Sequence, residues 1–416
     1  MSQLERLRVL LAALVPGNRF YTRRLAAAGV MPEIASLADF SARMSFTHKP
    51  ELVSDQAQHP PYGSNLTEPL ERYTHFCQTT GTTGRPLVWL DTEESWAWML
   101  GNWAAIYRAA GLAPGERIYF AFSFGPFLGF WTAFGAAAKC GYLGIPGGGL
   151  GSGGRLRAMI QHQATVLCCT PTYALHLAQA AADEAIDLRE SAVRKIIVAG
   201  EPGGSVPEVR ARISSAWNGA QVLDHYGMTE VGPVAFQTLD RPDLLHIIED
   251  SYFAEIVHPD TGAPIEPGQV GELVLTTLGR TACPLLRYRT GDLVRRAPEV
   301  EGFALAGGII GRADDMIVVR GVNLYPSAVD AVVRLVPEIV EYRVEISRRG
   351  SLAEVEVQIE SDDGTAAEKL QRALATAFSL RIPVTQVATH SLPRFELKAR
   401  RWVRAGSSNT QAPSSI

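Results

Sequence analysis

Residues Ile118 to Ala138 read IYFAFSFGPFLGFWTAFGAAA, twenty-one positions without a charge, long enough by count to cross a bilayer as a helix. Gly125-Pro126 near the middle and further glycines at 129 and 135 interrupt that reading. The stretch is better described as a buried strand (Tyr119 to Ser123), a turn, and a packed helix ending near Cys140. Its neighbours then fall into the same rhythm. Between Arg117 and about Gly232, the apolar runs Thr165–Cys169, Lys195–Ala199 and Gln221–Leu223 alternate with the helical patterns Tyr173–Ala182 and Pro207–Trp217. Strand–helix alternation of this kind predicts an α/β domain with a largely parallel sheet.

Outward from that core the texture changes. After Pro233 come strands separated by turn signals: Phe253–Val257, the turn Asp260-Thr261-Gly262, Gly271–Thr276 and Leu293–Arg296. They predict an antiparallel, barrel-like subdomain. Past Gly311-Arg312, a helix at Pro326–Leu335, alternating strands near Glu341–Ser347 and Ala353–Ile359, and a helix at Ala366–Phe378 predict a small α+β unit. A hairpin is expected at Arg348-Arg349-Gly350. Residues 405–416 are small and polar, an expected disordered tail. The expected division is therefore 1–311, 312–404 and 405–416. At the other end, Leu7, Leu10, Leu11 and Leu14 share one helical face before Pro16-Gly17.

Composition narrows the function. The chain has 416 residues, 46% hydrophobic and 20% charged, as a folded globular protein does. With 39 Lys and Arg against 43 Asp and Glu, it offers no bulk attraction to nucleic acid or anionic lipid. Five cysteines without C-x-x-C spacing suggest neither disulfides nor zinc. The apolar run Val9–Val15 follows Glu5 closely and has no cleavage pattern after it, so no secretory signal is expected. A cytoplasmic protein without membrane attachment is the expectation, and homodimerisation is left open.

One segment is built like a phosphate cradle: Thr79-Thr80-Gly81-Thr82-Thr83-Gly84-Arg85-Pro86. Its glycines allow a tight loop, its backbone N–H groups can form an anion nest, and its hydroxyls and Arg85 can meet phosphate oxygens. Alone it is no more than a Thr/Gly-rich turn, and it is not a G-x-x-x-x-G-K-[ST] loop. Downstream, in order, lie Gly200-Glu201-Pro202, Tyr226-Gly227-Met228-Thr229-Glu230, Tyr288-Arg289-Thr290-Gly291-Asp292, Gly311-Arg312-Ala313-Asp314-Asp315 and Lys398. Together these resemble the adenylate-forming superfamily of acyl-CoA synthetases and adenylation domains. Asn18-Arg19-Phe20-Tyr21, Thr170 to Leu175, Leu285 to Asp292 and Arg320 to Ser327 are most similar to its phenylacetate:CoA ligase branch. The resemblance runs from about residue 18 to 404.

The resemblance implies a residue-by-residue assignment. The threonine loop would grip the β- and γ-phosphates of ATP. Tyr226 would lie against adenine, Thr229 would contact the α-phosphate, and Glu230 would help hold Mg²⁺, a hard ion suited to oxygen ligands. Asp292 would bind the ribose hydroxyls and Arg312 would add a second contact. Gly200, Glu201 and Pro202 would border the adenine. Lys398 would be the catalytic lysine, stabilising charge at the transferring phosphoryl group. Asp314 would be the hinge of a mobile C-terminal lid, and Arg320 and Gly321 would line a coenzyme A tunnel. Two residues depart from the family pattern: Leu397 replaces the usual glycine before the lysine, and Arg85 stands where lysine is common. Some relatives in this branch carry a Cys/His cluster between the Tyr226 and Asp292 motifs; Cys283 is the only cysteine in that interval here, so no zinc is expected.

Eight of the twenty-one residues from Ile118 to Ala138 are aromatic, which suits a core or the wall of a flat apolar pocket equally. The resemblance points to Phe127 beside the acid, with Ala199, Gly227, Met228 and Gly232 as the other pocket candidates. The expected activity is ATP-dependent conversion of an aromatic acid to acyl-AMP, then transfer to coenzyme A. Transfer to a carrier-protein phosphopantetheine or an amine, and a nucleotide-binding protein without catalysis, are the alternatives. Gly149 to Gly154 matches G-x-G-x-x-G, but no Asp or Glu occurs between Arg117 and Ala182 to hold a ribose, which argues against a dinucleotide site.

Overall fold

A computed structural model describes residues 1–79, 86–313, 317–319, 322–349, 352–395 and 401–404. The chain divides into two compact units, Met1–Ile310 and Gly311–Ile416.

The first unit opens with α1 (Gln3–Leu14), started by a capping box between Ser2 and Glu5. Its four leucines are fully buried against Tyr21 of α2 (Arg19–Ala28) and Phe40 of α3 (Leu37–Arg43), each contributing roughly 2 kcal/mol by burial. After α4 (Lys49–Gln58), strands β1 (Tyr73–Gln78) and β2 (Val88–Thr92) pair antiparallel and flank the threonine-rich segment. Thr92 caps α5 (Glu93–Ala109). There follow β3 (Arg117–Phe120), α6 (Trp131–Lys139), β4 (Leu143–Pro146), α7 (Ser152–Gln161), β5 (Val166–Cys169), α8 (Pro171–Asp183), β6 (Lys195–Val198), α9 (Pro207–Ala216), β7 (Gln221–Met228), β8 (Gly232–Phe236) and β9 (Leu244–Ile247). Strands β10 (Tyr252–Val257), β11 (Val270–Thr277) and β12 (Tyr288–Arg295) form an antiparallel sheet, and β13 (Ala304–Ala306) closes the unit.

The main sheet has the order β13-β9-β8-β7-β6-β5-β3-β4, parallel from β7 to β4 and antiparallel from β7 to β13. Helices α7, α8 and α9 cover one face through Leu156, Tyr173, Leu177, Ile213 and Trp217. Met99, Trp103 and Ile106 of α5, with Ala133 and Ala137 of α6, cover the other. Residues 118–138 are thus strand, turn and helix. Among the described residues no helix is long and apolar enough to cross a membrane.

The strand expected to start at Leu293 starts at Tyr288 instead. Gly291 has φ of 77°, and the pairing with β11 shifts register between Glu272 and Val274. A bulge at this point splits one strand into two sequence fragments, and only the second reads as extended.

The second unit carries β14 (Gly311–Arg312), the β15 (Ile317–Val319) and β16 (Val322–Leu324) hairpin, and α10 (Pro326–Arg334). Then come β17 (Ile339–Arg349), β18 (Leu352–Ser361), α11 (Ala366–Phe378), β19 (Val384–Val387) and β20 (Trp402–Arg404). The sheet order is β19-β18-β17-β20, with an antiparallel centre and parallel flanks. Val329, Val333, Leu370 and Leu374 of the helices bury Val344, Val357 and Ile359 of the sheet. Residues 405–416 lie outside the described residues.

Candidate active site

Strand β7 and the turn after it bring the residues of the tyrosine motif to the end of the parallel sheet, where the strand direction reverses into β8. Two glycines make that reversal fit. A Cβ at Gly227 would meet the Gly232 carbonyl oxygen at 2.7 Å, and Gly232 has φ of 90°. Both pocket candidates therefore have a backbone reason to be glycine. The Tyr226 hydroxyl donates to Asp292 Oδ2 at 2.6 Å and lies 3.8 Å from the Met228 sulfur. Asp292 is itself set by Thr290, whose hydroxyl accepts from the Asp292 N–H at 3.1 Å and donates to the Leu273 carbonyl at 2.8 Å. Two motifs 66 residues apart thus meet in one hydrogen bond.

The Thr229–Glu230 turn is braced by a residue that no motif named. Arg280 Nη1 donates to the Thr229 carbonyl at 2.9 Å and to the Glu230 carbonyl at 2.8 Å. Its Nε and Nη2 donate to the two oxygens of Asp91 on β2, at 2.7 and 2.5 Å. Both side chains are fully buried, and the guanidinium lies 5.3 Å from the Trp89 ring. A bidentate partner and two carbonyls occupy the planar fork, which a lysine could not do. The Glu230 side chain is buried too, and Lys49 at the start of α4 donates to its Oε1 at 3.0 Å. A charged carboxylate with oxygen ligation to offer is a fit for a hard divalent ion. Among the described residues no group of three or more His, Cys, Asp or Glu side chains is placed to hold a metal. Were magnesium bound, Glu230 is the residue that would hold it, with water or substrate oxygens completing the shell.

Beneath the tyrosine, Asp224 is buried with Ser205, whose hydroxyl donates to Asp224 Oδ2 at 2.6 Å, and its backbone N–H donates to Gln237 at 2.8 Å. Burial pushes the Asp224 carboxyl up to about 7. On the opposite face of β7, His225 lies 4.4 Å from the Trp103 ring and contacts the Ala235 carbonyl through Nδ1 at 2.9 Å. A carbonyl only accepts, so Nδ1 carries the proton. Burial pushes the imidazole down to about 4, leaving it neutral at pH 7.

The other candidates are placed as follows. Glu201 accepts from the Thr172 N–H in the first turn of α8, at 2.8 Å, where the helix dipole favours a carboxylate. Gly200, with φ of 94°, and Pro202 flank it on the segment leaving β6. Ala199 is buried in the main core. Phe127 folds back so that its ring lies 3.2 Å from where a Gly125 Cβ would be. Elsewhere in the run, Phe122 pairs with Phe124 and Phe130, and Phe124 with Trp131, at ring-centroid distances of 4.7 to 4.8 Å, so these four rings pack on one another. Thr79 pairs with Leu87 through Thr79 N–H to Leu87 carbonyl (2.9 Å) and Leu87 N–H to Thr79 Oγ1 (3.0 Å), closing the ends of the threonine segment. Thr80, Gly81, Thr82, Thr83, Gly84, Arg85, Asp314, Arg320, Gly321 and Lys398 lie outside the described residues. Arg312 sits on β14 of the second unit.

Residues 38–280 match the family model of the AMP-binding enzymes, and residues 321–404 match that of the AMP-binding enzyme C-terminal domain. The chain is 33% identical over 365 residues to a phenylacetate-coenzyme A ligase of Thermus thermophilus, covering 86% of this chain and 80% of the relative. The chain belongs to the AMP-binding, adenylate-forming enzyme family. Within the family it stands near the phenylacetate-CoA ligases. Solved adenylate-forming ligases share its fold. A 2-hydroxyisobutyryl-CoA ligase in its postadenylation state with an acyl-AMP is 29% identical, with a TM-score of 0.90 over 97% of this chain and 88% of that one. The same ligase with 2-HIB-AMP and CoA in the thioesterification state is 30% identical, with a TM-score of 0.72 over the same shares.

Proposed function

We propose that this protein is an AMP-forming acid:CoA ligase acting on an aromatic carboxylic acid, with ATP, Mg²⁺ and coenzyme A. A carboxylate oxygen of the acid attacks the α-phosphorus and pyrophosphate leaves; the thiol sulfur then attacks the acyl carbon and AMP leaves. The observation that carries the reading is the Tyr226–Asp292 hydrogen bond. It ties the expected adenine residue to the expected ribose residue, and it fixes the Tyr226 ring in direction. Thr229 would contact the α-phosphate and Glu230 the metal, from a turn whose two carbonyls accept from Arg280. The metal, when bound at Glu230, would supply neutralisation of phosphate charge. Lys398 would act in the first step and Arg320–Gly321 in the second, on a small domain turning at Asp314.

The aromatic preference rests on the names of the ligases it resembles and on the aromatic content around Phe127. The 2-hydroxyisobutyryl-CoA ligase likeness makes a small hydroxy acid the natural competitor. Acid-dependent pyrophosphate release, measured over benzoic, phenylacetic, heteroaromatic, 2-hydroxyisobutyric and straight-chain acids with and without coenzyme A, separates them. Preference for an aryl acid supports the reading; preference for an aliphatic acid overturns its specificity. Release that ignores coenzyme A but continues with a carrier protein or amine would reassign the acceptor.

A further inference from the structure

Across the β11–β12 pair, Leu273 alone stands between Glu272 and Val274, whereas Thr290, Gly291 and Asp292 stand between their partners Leu293 and Arg289. The bulge that carries Asp292 therefore has more residues than the neighbouring strand can pair, and its backbone N–H groups need other acceptors. Side chains supply them. Thr290 Oγ1 joins the Asp292 N–H to the Leu273 carbonyl. The Gly291 N–H donates to Oε1 of Glu272 at 3.0 Å.

Glu272 is buried, and its other oxygen is engaged as well. Oε2 accepts from Arg289 Nε at 2.9 Å and also from Arg289 Nη2. Arg289 is fixed in turn from outside β12. Its Nη2 donates to the Pro259 carbonyl, its backbone N–H donates to the Thr47 carbonyl at 3.0 Å, and its guanidinium lies 5.5 Å from the Phe46 ring. The Glu272 carboxylate thus has one oxygen on Arg289 and the other on the bulge backbone, and it cannot turn without losing both. Gly291, at φ of 77°, is the bulge residue that most needs this hold. Glycine reaches positive and negative φ about equally well, so without an acceptor for its N–H the chain here can turn and carry Asp292 off its direction.

We propose that Glu272 is a positioning residue for nucleotide binding: backed by Arg289, it holds the Gly291 bulge in the shape that aims the Asp292 carboxylate at the ribose. The inference rests on the reading above, in which Asp292 binds the ribose hydroxyls. Glu272 acts through the backbone of the bulge, and the Tyr226 hydroxyl acts on the Asp292 side chain, so the carboxylate is set from both sides. A group fixed before its ligand arrives loses less freedom on binding, which is how a supporting residue raises affinity without adding a contact.

The test compares ATP with 2′,3′-dideoxy-ATP, which lacks both ribose hydroxyls, in acid-dependent pyrophosphate release by the full chain. Glu272→Gln keeps the side-chain shape but puts a donor where one of the two acceptor oxygens was, so it cannot serve Arg289 and Gly291 together. The expected result is a rise of about tenfold in KM for ATP with a smaller change in kcat, while KM for the dideoxy nucleotide hardly moves. The preference for ATP over the dideoxy nucleotide then shrinks by about the same factor. An unchanged KM for ATP overturns the proposal, and so does an equal rise for both nucleotides, which is what an ion pair with only a structural role would give. Should the glutamine variant not fold, Glu272→Asp keeps a carboxylate for Arg289 on a chain too short to reach the Gly291 N–H as well, and is read the same way. Asp292→Asn is the control: if it leaves the preference for ATP intact, the ribose assignment fails and the inference with it. If it abolishes the preference and the Glu272 variants keep it, the Glu272 inference alone fails.

Discussion

The hydroxyl of Tyr226 donates to the carboxylate of Asp292 at 2.6 Å, joining β7 of the main sheet to β12 of the antiparallel sheet. A hydrogen bond to a charged acceptor contributes about 1.5–3 kcal/mol where both groups are buried. If Asp292 binds the ribose as proposed, Tyr226→Phe should raise KM for ATP by about tenfold with a smaller change in kcat, because the ring stays and only the orientation of the Asp292 carboxylate is lost. Steady-state kinetics over ATP concentration checks this. An unchanged KM would separate the pair from nucleotide binding.

Lys49 is half exposed while its partner Glu230 is buried, so the carboxylate depends on the pairing more than the lysine does. Lys49→Gln leaves a buried charge without its cation, and a loss of about 1–3 kcal/mol is expected without metal. Adding MgATP should then raise the Tm of the variant more than that of the unaltered protein, since a bound cation replaces the missing one. Equal shifts would show that Glu230 does not meet the metal.

The Arg280–Asp91 brace makes a two-part prediction. Arg280→Met strands Asp91 in the core and should cost about 3–5 kcal/mol in urea unfolding. The double variant Asp91→Leu with Arg280→Met removes both charges and should recover most of that stability. It should still adenylate at least about tenfold more slowly, because the Thr229 and Glu230 carbonyls have lost their anchor. Recovery of full activity along with stability would reduce the brace to a packing role.

Asp224 and His225 are neighbours with opposite linkage. Unfolded, His225 takes a proton below about pH 6.5; folded, only below about 4, so its contribution falls as pH drops across that window, by up to about 3 kcal/mol. Asp224, raised to about 7, keeps a proton in the folded state that the unfolded chain sheds above about pH 4, so stability gains as pH falls from 7. The two oppose one another between pH 7 and 5. Asp224→Asn should then lose stability on acidification while His225→Gln gains it. Urea midpoints at pH 7, 6 and 5 should diverge, and parallel curves would contradict both assignments.

Much of this was legible in the chain. The α/β alternation, the buried face of α1 and the two helices of the small unit follow from periodicity, and the helix Ala366–Phe378 was read to the residue. The motif order pointed to Tyr226 and Asp292 because each carries its local geometry with it. What could not be read is what long-range pairing decides. Asp91 and Arg280 are 189 positions apart and share no spacing rule; the only signal is one charge in each of two apolar stretches, Val88–Thr92 and Thr276–Leu286, which demands a partner inside. Lys49 reaches Glu230 across 181 positions with no signal at all. The aromatic run left two readings open by composition alone. Rings that suit a flat pocket also suit each other, and Phe122, Phe124, Phe130 and Trp131 satisfy themselves.

The central claim is that the acid is activated as an acyl-AMP before the acyl group moves to the thiol. Supplying the acid with both carboxylate oxygens labelled as oxygen-18, together with ATP, Mg²⁺ and coenzyme A, follows the attacking oxygen directly. AMP carrying one labelled oxygen, with unlabelled pyrophosphate, is the predicted result. Label in inorganic phosphate with ADP as the nucleotide product, or unlabelled AMP, would contradict it.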